Sequence, residues 1–590
     1  MASCDRYVYD LSSEQETDNV KIFMSKQWVS LLDQSQGNYA SNVSQLQTDV
    51  LTNSSTFVNM QEAVLLIPMI ITVTQQASTG TTFAPATTAC DYAFGLKNSI
   101  LAIIHQLSVM YNNVTLTQNM PYISLWNVFK LQTSMNYTDI SLWATLGFYP
   151  DTLTSVAYSA TPFQNGAGTC NNVNYLAPLQ VAATTAGQAG QANVGLLQRQ
   201  LYYGYNPANT GSGMFLNTQC SQIYKSYIPT AQNSGGGKCG TWNQFILGSI
   251  RLADLHDVFA SCPLIKGSYW TIRLGLNNTA FNFSTQQPGT GGTAGIGTSM
   301  WCSSVNSAYG GVNPLMVAST YSNGTWSSGG ASLVYGAVAA AATPYRASIY
   351  VGGNCLDSIQ LQAGNPQQST MMKQVTLIAP TYVFSPDIEM VYIEQGQKTI
   401  SYTEIFQYTV SSIPNGQSFN NVLTSGIAGL KELLIIPMIN GARNNIGNTA
   451  AGATNNLPQF QSPFDCAGAG VSGAPEGSIS NFNVQVAGQN YMRENSQYIY
   501  QTFYENFYGQ AGQINGGQSA GINNCLLNEL DYFSSPFIYV NIGRGLASDD
   551  LVLKSVQITG LNNSSYYLDL YCFLTYTKTF TIDIRTGALV

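Results

Sequence analysis

Charge is what this sequence has least of. Lys and Arg together number 21 and Asp and Glu 29 among 590 residues, so 8% of the chain is charged, against roughly 25% in an average soluble protein. A soluble monomer covers its surface with such groups, so a chain this poor in them is expected to hide much of its surface against other subunits. The formal net charge is −8, and no run of Lys and Arg occurs that could neutralise a row of phosphates. Direct, sequence-specific binding to nucleic acid is therefore not expected.

Histidine is scarcer still. His105 and His256 are the only two, which leaves little material for imidazole acid–base or zinc chemistry. Asp254, His256 and Asp257 could ligate a metal only with further ligands from elsewhere, and a solvated helix end is the plainer reading of that cluster. Eleven cysteines run from Cys4 to Cys572 with no C-x-x-C pair, a spacing expected of reduced, buried thiols rather than a disulfide framework. Met1–Asp10 shows no basic segment followed by an apolar one, so the chain is expected to stay where it is made. The weakly polar stretch Ala331–Ala342 is too short and too rich in Gly and Ala to span a bilayer.

Three short motifs carry a superficial promise of chemistry. Gly517-Gln518-Ser519-Ala520-Gly521 matches a nucleophile elbow, but both histidines precede Ser519 and no apolar strand leads into it, contrary to the order that such a hydrolase needs. Gly235-Gly236-Gly237-Lys238 resembles a phosphate loop, yet Cys239 stands where a magnesium-binding hydroxyl belongs. Asp549-Asp550 is an adjacent carboxylate pair of the kind a glycosidase could use, read more simply as a solvated turn before Leu551-Val552-Leu553. No catalytic residue, metal ligand or cofactor is expected, and the chain reads as something other than an enzyme.

What the sequence does contain is aromatic residues, with 36 Tyr, 24 Phe and 7 Trp, which exclude disorder as the reason for the low charge. Gly, Asn, Thr, Ser and Gln fill much of the rest, the vocabulary of β-strands and turns. The length calls for at least two cores. An internal duplication says how they are arranged. Leu65-Leu66-Ile67-Pro68-Met69-Ile70 returns 369 residues later as Leu434-Ile435-Ile436-Pro437-Met438-Ile439. Proline cannot donate to a sheet ladder, so each copy predicts an edge strand or a bulge.

The duplication continues. Leu107, Val109 and Tyr111 alternate before Asn112-Asn113, and Phe482, Val484 and Val486 before Ala487-Gly488, each a half-buried strand running into a tight hairpin. A short aromatic helix follows each turn: Tyr122, Leu125, Trp126 and Phe129 in one half, Ile499, Tyr500, Phe503, Tyr504 and Phe507 in the other. Their spacing puts the rings on one face, as core packing rather than a ligand site. Trp28–Leu32 opens the first half. Ile400, Tyr402, Phe406, Tyr408 and Val410 open the second, interrupted by Glu404. Leu568, Leu570, Cys572 and Leu574, then Phe580, Ile582 and Ile584, alternate near the carboxyl end. Long polar stretches at about 160–240 and 284–343 are expected to project from one end of the first unit.

Taken in order, these segments resemble the double jelly-roll major capsid proteins of polinton-like viruses, virophages and related icosahedral double-stranded DNA viruses. Leu107–Leu131, Ile250–Leu276, Thr376–Tyr392, Lys398–Tyr402, Ser462-Pro463-Phe464, Asn481–Gly488 and Phe573–Ile584 carry the resemblance. It lies in their sequence of strand, turn and helix and in the duplication. It implies an all-β fold of two tandem eight-stranded jelly rolls with short helices and long inserted loops. Residues 1–23 would form an arm, 24–395 the first roll and 396–590 the second. It further implies a homotrimer acting as a pseudo-hexameric capsomer, with penton and minor capsid proteins as partners, in a virion whose shell is compatible with an internal membrane. The competing reading is a glycan-binding or adhesive β-sandwich of a cell surface, which would require export.

Overall fold

The structure, a computed structural model, describes residues 22–39, 41–52, 56–76, 83–84, 92–96, 99–134, 201–203, 223–224, 242–284, 301–307, 314–319, 345–352, 374–440, 471–473, 477–492, 495, 497–514, 532, 537–543 and 552–590. Eight of the described strands make the frame of the first sandwich, whose sheets carry further strands beside them: β1 (Phe23–Leu32), β2 (Val43–Gln47), β3 (Val64–Gln76), β4 (Ile104–Tyr111), β5 (Val114–Met120), β6 (Trp242–Arg251), β7 (Trp270–Leu276) and β8 (Thr376–Phe384). Eight more make the second: β9 (Gln397–Ile413), β10 (Ser418–Ile427), β11 (Leu430–Asn440), β12 (Ile479–Val486), β13 (Gln489–Asn490), β14 (Ile538–Asn541), β15 (Lys554–Asn562) and β16 (Leu568–Asp583). Helix α1 (Ile123–Ser134) follows β5, α2 (Pro386–Glu394) bridges the sandwiches, and α3 (Tyr500–Ile514) follows β13.

The pairing repeats strand for strand. In the first sandwich one sheet runs β1-β8-β3-β6 and the other β2-β7-β4-β5. In the second they run β9-β16-β11-β14 and β10-β15-β12-β13. All pairs are antiparallel, and each strand of the first roll has its counterpart eight strands later. The fold is a double jelly roll. The hairpins β4–β5 and β12–β13 turn on Asn112-Asn113 (φ 45° and 64°) and Ala487-Gly488 (φ 52° and 79°), the left-handed pair that a two-residue turn between twisted strands demands.

The two prolines correct the sequence reading. Neither Pro68 nor Pro437 lies on an edge strand, since β3 and β11 are both interior. Each sits where partners change over on one side of its strand. Thr376 of β8 pairs with Leu66, and the strand Tyr345–Val351 takes over at Met69. In β11, β14 ends opposite Ile435 and Val471–Gly473 begins opposite Met438. The carbonyl of Pro68 faces the changeover, accepting from Gly352 N–H at 2.8 Å. In an antiparallel strand a residue's nitrogen faces the same way as its carbonyl, so the missing donor falls in the gap.

Inserted segments leave the first roll at one end. Trp242, where the long connection after α1 returns, pairs with Val73 near the end of β3, and Tyr345, on the connection to β8, pairs with Gln75. Three connections each lend a strand, Tyr92–Leu96, Leu201–Tyr203 and Leu315–Ser319, to one small sheet. Most of 160–240 and 284–343 lies outside the described residues, as do 1–21. One continuous buried cluster runs through both rolls. A smaller one joins Phe57, Tyr382, Phe384 and Tyr392 to Ile584 from the carboxyl end.

Candidate functional site

The two rolls meet in a joint to which α1 contributes its ring-bearing face. The i, i+3, i+4 spacing of its rings sends them across to the second roll. Tyr122, just ahead of the helix, stands edge-on to Tyr571 at 4.7 Å, and Trp126 lies 6.2 Å from Phe573. Phe129 is surrounded by Phe537 at 5.0 Å, Tyr539 at 5.8 Å and Phe507 of α3 at 6.1 Å. Every residue from Leu568 to Thr575 is buried. Successive side chains of a strand point to opposite faces, so both faces of β16 are covered here. A fully buried Phe is worth about 1.5–3 kcal/mol, with roughly 0.5–1.5 kcal/mol more for each well-placed aromatic pair. The joint is therefore held as firmly as a domain core.

Polar contacts flank the rings. Tyr402 OH donates to Leu116 O at 2.9 Å, and Lys578 Nζ donates to the same carbonyl. Asn112 Nδ2 donates to Gly587 O at 2.7 Å, as does Tyr111 OH. Gly587, at φ +69°, sits so close to Lys266 and Gly267 that a Cβ there would lie 2.5 Å from Lys266 O. The carboxyl-terminal turn is thus clamped between the β4–β5 hairpin and the approach to β7.

Of the cluster Asp254, His256 and Asp257, the last two belong to this joint, which corrects their reading as a solvated helix end. Asp254 is engaged by Arg251 through two bonds of 2.8 Å. Asp257 Oδ2 accepts the Thr403 N–H of the second roll at 2.7 Å. His256 Nδ1 accepts from Val258 N–H at 3.2 Å, capping its short helix, and Nε2 lies 3.7 Å from Glu404 Oε1. Both are buried. Burial takes the imidazole down to about 3, helped by the Lys130 ammonium, and raises the Glu404 carboxyl to about 7. The three residues are spent on separate partners, and among the described residues no group of three or more His, Cys, Asp and Glu could hold a metal.

His105 is buried edge-on against Tyr122 at 4.7 Å. The thiols of Cys262 and Cys572 are free and buried, and burial pushes both up. Ser519, Lys238 and the pair Asp549-Asp550 lie outside the described residues. Among the described residues no helix is long and apolar enough to cross a membrane. Sequence reasoning missed Glu404 as a joint residue, although a carboxylate between Tyr402 and Phe406 in an alternating strand was the visible sign.

The class defined by this geometry is a two-sandwich scaffold with a large apolar seam. Among solved structures the chain is similar to one of the Sputnik virophage determined by cryo-electron microscopy, with 12% identity over 98% of this chain and 90% of that one, TM-score 0.49. It is also similar to the mavirus major capsid protein, with 9% identity over 99% and 94%, TM-score 0.42. The Faustovirus major capsid protein shows 10% identity over 96% and 92%, TM-score 0.38. No protein-family model matches the chain, and no curated protein matches it.

Proposed function

We propose that this chain is a major capsid protein: a structural, non-catalytic block that forms homotrimeric, pseudo-hexameric capsomers and tiles the icosahedral shell of a double-stranded DNA virus. One observation carries the reading. A single chain holds two rolls of identical strand order, fused side by side through an apolar seam. Three such chains present six like walls, which is what a site with six neighbours requires of a trimer. The low charge follows, because walls buried between copies need little of it. On this reading 24–395 and 396–590 are the two rolls and 1–23 is an arm. Penton and minor capsid proteins complete the virion, which assembles inside the infected cell.

The test is size-exclusion chromatography with light scattering, followed by negative-stain electron microscopy of the purified chain. A trimer with a hexagonal outline is the expected result. A chain that stays monomeric at all concentrations overturns the proposal, and clear hits on a glycan array would favour the adhesive reading instead.

A further inference from the structure

The registers allow the rolls to be matched residue by residue. Leu66 and Ile435, equivalent by the duplication, pair with Thr376 and Cys572. Thr376 and Cys572 in turn pair with Leu32 and Tyr408. Counting back along β1 and β9, Lys26 is the counterpart of Tyr402 and Trp28 of Glu404. In the second roll this row is sealed against the first: Tyr402 and Glu404 are 2% and 3% exposed. In the first roll the same row is open, with Trp28 54% and Met24 67% exposed. On the helix that follows β8, Met390 and Val391 are exposed as well.

The surface that covers the Gly587 turn of the second roll has a counterpart too. Trp270 and Val556 occupy equivalent places, opposite Tyr111 and Val486, so Val552 and Leu553 stand where Lys266 and Gly267 stand in the first roll. Lys266 and Gly267 lie against the Gly587 turn. Val552 and Leu553 are 51% and 68% exposed. The hairpin next to each is also equivalent, Asn112-Asn113 beside one and Ala487-Gly488 beside the other.

We infer that the chain associates head to tail with a second copy of itself through a repeat of its internal joint: Val552, Leu553 and the Ala487-Gly488 turn of one copy cover Met24, Trp28, Met390 and Val391 of the next. The inference rests on the capsomer reading and names the surfaces that close it. Two apolar patches that are open at opposite halves of the chain, and equivalent to two patches sealed together within it, have the complementarity that a heterologous ring interface needs. The new contact is more apolar than its template. Where Tyr402 and Lys578 reach across to Leu116, their counterparts Lys26 and Tyr382 both bond Glu62 of their own roll at 2.7 Å. Those polar tips are already satisfied, and Trp28 supplies the anchor.

The experiment uses three full-length variants, Trp28→Asp, Met390→Asp and Leu553→Asp, each checked for folding by circular dichroism and each sized by sedimentation. Every substitution is at an exposed position, and each variant is expected to lose the oligomer while keeping the wild-type spectrum. Mixing Trp28→Asp with Leu553→Asp leaves one intact surface on each partner, so the mixture is expected to form a one-to-one dimer that neither variant forms alone. Folded variants that all remain oligomeric would overturn this interface while leaving the capsomer reading in place, as would a mixture that yields no dimer. A monomeric wild type overturns both.

Discussion

Two buried groups at the joint make the stability of the molecule respond to pH in opposite directions. The Glu404 carboxyl titrates near 7 in the fold against 4.5 in the open chain, chiefly through burial, with the Lys578 ammonium pulling the other way. Its contribution to folding is therefore full below 4.5 and is lost as pH rises through 7. His256, near 3 against 6.5, contributes fully above 6.5, and that contribution is lost as pH falls towards 3. From 4.5 to 6.5 the two slopes offset each other, each about 1.4 kcal/mol per pH unit at most. Glu404→Gln removes one slope. Measured by urea denaturation, the variant should gain on the wild type by up to about 3 kcal/mol between pH 4.5 and pH 8. A difference that stays flat over that range would show that Glu404 ionises normally in the fold.

At the level of elements, the proline strands, the two hairpins and the aromatic helices were all legible in the sequence, because each depends on neighbours within a few residues. What α1 packs against was not legible. Its ring spacing marks a buried face but does not say whose core receives it, and the answer lies more than 400 residues away at Phe537, Tyr571 and Phe573. A partial signal existed in β16, where Leu568, Leu570, Cys572 and Leu574 alternate with residues that include Tyr571 and Phe573. A strand apolar on both faces announces a second cover. The proline reading failed for the opposite reason: it foresaw a missing donor correctly but not that two successive partners could leave it a gap. Phe129→Ala should cost about 3–5 kcal/mol and, because the rolls share one continuous core, lower the midpoint of a single calorimetric transition. An unchanged midpoint would show that the ring contributes nothing to the seam.

For the whole molecule, the seam means that neither roll is finished alone. Residues 396–590 expressed by themselves would expose Tyr402, Tyr571, Phe573 and Phe580 together, a patch of the size that drives association, and are expected to be recovered only as aggregate. A soluble, monomeric product on a sizing column would contradict this. The small sheet at the end of the first roll carries a different consequence. Its strands come from three separate connections, Tyr92–Leu96, Leu201–Tyr203 and Leu315–Ser319, so the ornament there is braided rather than hung. Because Tyr92–Leu96 pairs with both of the others, losing it would leave Leu201–Tyr203 and Leu315–Ser319 without these partners.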